Sequence, residues 1–147
     1  ARRLARCWVL PAMRLHDWQS RLDVCMREHL AEPFAWGRND CVTFAAACVK
    51  AVTGADHIEQ LRGGWFDERA AARLVRSGGG LVALAAGCLG QEIAPAMAQP
   101  GDVGITVQHG RDALCVCAGL HWHGPAAEGL ATFSTDQVER AWRCEAT

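Results

Sequence analysis

Cys41 is the residue whose setting could do chemistry. It closes the loop Pro33-Phe-Ala-Trp-Gly-Arg-Asn-Asp-Cys41 and opens the apolar run Val42-Thr-Phe-Ala-Ala-Ala-Cys-Val-Lys-Ala-Val-Thr-Gly54. Pro33 and Gly37 mark a loop, and Asn39 and Asp40 are both good helix N-caps. Phe44, Ala45, Cys48, Val49 and Val52 recur at helical spacing, and Gly54 is a good stop. This places Cys41 on the first turn, where the positive end of the helix dipole favours a thiolate. A thiolate there can attack a carbonyl carbon if a base and a proton donor stand nearby. The competing reading is a thiol that merely packs, because unpaired cysteine is among the most buried residue types.

Eight cysteines are present: Cys7, Cys25, Cys41, Cys48, Cys88, Cys115, Cys117 and Cys144. None forms a C-x-x-C pair, which argues against a zinc ribbon or a thioredoxin-like site. Most stand among alanines, leucines and valines and read as reduced, buried small hydrophobes. A domain of this size needs no disulfide staples. Cys115 and Cys117 would share one face of a strand, so a metal or cluster module built on them is one alternative. Otherwise no metal and no cofactor is expected.

The elements that must position Cys41 are legible around it. Residues 17–30 read as a helix capped by Asp17, with Trp18, Leu22, Cys25, Met26, His29 and Leu30 in one stripe. After the Cys41 helix, a short helix is expected at 56–62. A helix capped by Asp67 carries Ala70, Ala71, Leu74 and Val75, and another spans 81–89. Beyond Pro100-Gly101 the pattern turns to strands at 103–107, 114–118, 120–123 and 130–133, with Gly124-Pro125 ending the third. Ser134-x-x-Gln137 resembles a capping box opening a last helix through Trp142. Helices first and an antiparallel meander after them define an α+β fold.

The 147 residues suit one domain, here 15–147, preceded by an arm, 1–14, in which Arg2, Arg3, Arg6 and Arg14 form a solvated basic cluster. A net charge of -1 gives no general attraction to nucleic acid or anionic lipid. No apolar run reaches the roughly 20 residues of a membrane span. Cys7-Trp-Val-Leu10 is too short for a signal-peptide core, so synthesis in the cytoplasm without export is expected.

Taken together, Phe34-x-Trp36-Gly37-x-x-Asp40-Cys41-x-x-Phe44, the later Ala98-x-Pro100-Gly101-Asp102-Val103 and the ending Ala141-Trp142-Arg143 resemble the NlpC-type branch of papain-like cysteine peptidases and amidases. They look most like the small NlpC-like proteins of phage tail and gene-transfer-particle gene clusters. The resemblance spans about residues 15–144. It implies an NlpC-like papain fold with Cys41 as nucleophile. It also implies a base histidine at the start of the strand after the Gly-Asp strand, and a third polar residue on the strand after that. The base position falls at Asp112, Ala113 or Leu114, none of them histidine. His109 lies in the preceding turn. His121 and His123 lie at the third position, on one face of the expected third strand, and are the histidines that could serve Cys41.

The resemblance therefore implies a degenerate NlpC-like domain acting as a tail-tip structural or assembly protein of a virion. Its partners would be other tail proteins, with six tryptophans as candidate anchors, most of them core residues. The alternative is an active cysteine hydrolase of peptidoglycan aiding DNA entry, with Cys41 as nucleophile and His121 or His123 as base.

Overall fold

The computed structural model describes residues 13–144. Four helices come first: α1 (Trp18–His29), α2 (Cys41–Thr53), α3 (Glu68–Ser77) and α4 (Leu81–Cys88). Six strands follow: β1 (Glu92–Ile93), β2 (Val103–Gln108), β3 (Arg111–Cys117), β4 (Trp122–Ala126), β5 (Gly129–Phe133) and β6 (Val138–Trp142). They form one antiparallel sheet in the order β1-β6-β2-β3-β4-β5. The α+β class stands, with the helices N-terminal.

Strand periodicity divides the core in two. Val103, Ile105, Leu114 and Val116 point at the helices and pack with Phe44, Cys48, Val52 and Trp65. Cys115, Cys117, Trp122, Phe133 and Val138 fill the opposite face. Gly104 keeps that second layer together. A Cβ there would meet Val138 and Trp122 within 2.8 Å.

The start of β2 is clamped by a fully buried carboxylate. Asp102 accepts from Arg14 at 2.9 Å, Arg143 at 3.3 Å, the Gln99 amide at 3.0 Å and the Cys144 amide at 2.9 Å. Arg14 also stacks over Trp18, 4.2 Å from the ring. This corrects the solvated arm at its one basic residue in view: Arg14 packs on its own domain, because a buried carboxylate needs a charged partner. Residues 1–12, with the arm's other arginines, lie outside the described residues.

Three further expectations change. Residues 56–62 form turns, not a helix. Asp56 Oδ1 accepts from the Ile58 amide and Asp56 pairs with Arg62, a local bonding pattern that competes with helix. Gly124-Pro125 does not end β4. Pairing with β3 stops at His123, so the far edge of β4 is unpartnered there, where proline is tolerated. The last helix is instead a 3₁₀ turn, Thr135–Gln137, leading into β6.

Among the described tryptophans, Trp65, Trp122 and Trp142 are buried and Trp18 and Trp36 half-buried, so none stands as an exposed anchor. Among the described residues, no helix is long and apolar enough to cross a membrane.

Candidate functional site around Cys41

The loop before α2 is built by Asp40, which makes the N-cap. Its Oδ1 accepts from the Thr43 amide at 2.9 Å, and the Thr43 hydroxyl accepts from the Asp40 amide at 2.8 Å. This reciprocal pair is a capping box with threonine in the second role. Asp40 Oδ2 accepts from the Gly37 amide at 2.8 Å and from Trp65 Nε1 at 2.6 Å. Asn39, the other cap candidate, instead turns inward and donates to the carbonyls of Glu32 and Pro33, both at 3.1 Å. Gly37 has φ +78°, and a Cβ there would lie 2.1 Å from the Trp65 carbonyl oxygen. The tight loop therefore requires glycine.

Cys41 consequently occupies the first turn of α2, as its spacing predicts. It borders a cavity of about 380 Å³ whose wall includes Trp36, Trp65, Leu74, Val75, Arg111 and Asp112. Glu68 and Arg111, paired at 3.1 Å, also line it. The backbone amide of Leu114 reaches the sulfur from β3. The expected base position thus does face Cys41, and the side chain there that lines the cavity is Asp112.

The electrostatics oppose a thiolate. Burial pushes the Cys41 thiol up to about 11, and the neighbouring Asp40 carboxylate adds to the rise. The amides of Leu114, Cys41 and Val42 favour the thiolate, but they do not outweigh the loss of water. The helix terminus thus favours the thiolate as expected, but burial reverses the net direction.

The three histidines named from the sequence do not line the cavity. His109 is exposed in the β2–β3 turn at φ 53°. His121 is exposed in the bend before β4, not on the strand. His123 lies on β4, its Nδ1 3.3 Å from both the Ala131 carbonyl and the Thr132 hydroxyl. It borders a different cavity, under α1 beside Trp18, Met26 and Leu130.

A second thiol centre lies elsewhere. Cys25 Sγ is 3.9 Å from Cys48 Sγ and 3.9 Å from His29 Nδ1. The sequence carried its signal, since Cys25 and His29 stand four apart on one helix stripe. Cys115 and Cys117 share a strand face as expected. Among the described residues, no group of three or more His, Cys, Asp or Glu could hold a metal ion.

Residues 13–144 match the family described as a domain of unknown function, DUF6950, and the chain belongs to that family. No curated protein matches it.

Proposed function

We propose that this chain is a structural component of a phage tail or related gene-transfer particle, built on an NlpC-like fold that has lost its hydrolytic site. The observation that carries the loss is the Cys41 cavity itself. Its lining brings the Cys41 thiol, which desolvation pushes up, together with carboxylates and arginines, and no histidine is among the lining residues. Amide cleavage needs a thiolate and a proton delivered to the leaving amine. Asp40 cannot orient a base, because its two oxygens already take the amides of Gly37 and Thr43 and the indole of Trp65.

The particle assignment rests on the resemblance, and the residues that carry it do structural work in this chain. Asp40 caps α2, Asp102 and Arg143 form the clamp at β2, and Trp142 is buried in the core. A domain whose motif residues hold the fold, around a silent thiol, suits a scaffold part.

Mass spectrometry of purified particles, produced with wild-type protein or Cys41→Ala, tests this reading. The chain should be present at a fixed stoichiometry, and Cys41→Ala should match wild type in incorporation and infectivity. Absence from particles would overturn the structural role. Normal incorporation of Cys41→Ala with lost infectivity would restore the hydrolase.

A further inference from the structure

Where α1 crosses α2, two thiols and an imidazole meet away from the Cys41 cavity. Cys25 Sγ and Cys48 Sγ are 3.9 Å apart, and His29 Nδ1 is 3.9 Å from Cys25 on the other side. His29 is held in place. Its Nδ1 donates to the Cys25 carbonyl at 2.7 Å, and its ring packs edge-on against Phe44. Both cysteines are thiols. Cys48 is fully buried, whereas Cys25 keeps 7% exposure and the His29 side chain 16%. Of the two sulfurs, Cys25 is therefore the one that keeps any exposure to a small reagent.

We propose that Cys25 is the reactive thiol of this chain and that hydroperoxides oxidise it to a disulfide with Cys48. The electrostatics agree with the geometry. Hydrogen bonding from Cys48, and then from His29, holds the Cys25 thiol below the ordinary range against its burial and the Glu28 charge. The Cys25 contact, aided by the Glu32 charge, raises His29 to about 9. Burial pushes Cys48 up, so it stays the protonated partner. Both directions favour a Cys25 thiolate beside a His29 imidazolium, next to the Cys48 thiol.

The chemistry balances. The Cys25 thiolate attacks one oxygen of hydrogen peroxide; the S–O bond forms and the O–O bond breaks. The departing hydroxide takes the His29 proton and leaves as water. Cys48 sulfur then attacks the sulfenic sulfur; the S–S bond forms and the S–O bond breaks. Hydroxide leaves with the Cys48 proton as a second water. Two thiols lose two electrons and one peroxide gains them. The sulfurs must close from 3.9 Å to about 2.05 Å, a shift that two packed helices can supply by rotamer change.

The test treats native protein with one equivalent of hydrogen peroxide, blocks remaining thiols with N-ethylmaleimide in denaturant, and maps tryptic peptides without reduction. Peptide 22–27 should be linked to peptide 39–50. Because the latter holds both Cys41 and Cys48, fragmentation assigns the bond, and Cys41→Ser should still form it. In Cys48→Ser, dimedone should label Cys25. His29→Gln should slow the reaction about tenfold, as the thiolate fraction falls. In unmodified wild type at pH 7, iodoacetamide should alkylate Cys25 before Cys41, an arm that needs no variant to fold. No linkage, linkage to Cys41 or Cys144, an unchanged rate in His29→Gln, or Cys41 alkylated first would each overturn the proposal.

Discussion

The indole Nε1–H of Trp65 donates to Asp40 Oδ2 at 2.6 Å, tying the cap of the Cys41 helix to a segment 25 residues downstream. The same carboxylate takes the amides of Gly37 and Thr43. One buried side chain therefore fixes the loop, the helix start and the wall of the cavity at once. Asp40 is spent on structure, and Cys41 inherits a negative neighbour instead of a base.

Removing that carboxylate should be costly. Asp40→Ala loses an N-cap worth about 1 kcal/mol. It also leaves the buried Trp65 indole N–H unpaired, at about 1–3 kcal/mol, and frees the half-buried Gly37 amide. Urea denaturation should show a loss of about 3 kcal/mol. Asp40→Asn, still a good cap, should lose less. A loss under about 1 kcal/mol for the alanine variant would mean that the clamp does not hold the loop.

Alkaline pH should unfold the protein through its thiols. Cys41 is raised to about 11 and Cys115 to about 12, both mainly by burial. The folded chain thus holds these protons more tightly than the unfolded chain, whose thiols ionise near about 8.5. Their contribution is complete below that value and fades above it, for Cys41 as pH rises through about 11 and for Cys115 through about 12. His29, raised to about 9, fades in the same direction. Cys25 is lowered, so its contribution is constant above the unfolded value and adds no slope. Stability by denaturant titration should fall between pH 9 and 11, less steeply in Cys41→Ala. Equal slopes for the two proteins would contradict the raised Cys41 thiol.

Placing an imidazole in the cavity should wake Cys41. Asp112 lines the same wall, so Asp112→His removes a negative group and supplies a base. Alkylation of Cys41 by iodoacetamide at pH 8 should accelerate about tenfold. An unchanged rate would show that position 112 does not address the sulfur.

Much of this was legible in the sequence because it is local. The Asp40 cap, the Gly54 stop and the period of α2 predict where Cys41 sits. The strand alternation predicts four of the six strands. What misled was a strand that imitates a helix. In β6, Val138, Ala141 and Trp142 turn inward at the i, i+3, i+4 spacing of a helix. The register beside β2 skips from Val138 to Arg140, so Glu139 is an extra, bulged residue. A bulge breaks the period of two, and Ser134 with Gln137 forms a true capping box that opens only one turn. β1 is two residues long, too short for any pattern. The thiol shift was illegible for a different reason: the helix terminus is a local feature, while the burial that outweighs it comes from segments far along the chain, β3 and the stretch from Trp65 to Val75 among them.

The most direct test of a silent Cys41 is digestion of purified bacterial sacculi, followed by chromatography of released muropeptides, with wild-type protein and Cys41→Ala side by side. Neither protein should release muropeptides above the buffer level. Release by wild type that disappears in Cys41→Ala would contradict a silent Cys41 and make this chain a hydrolase.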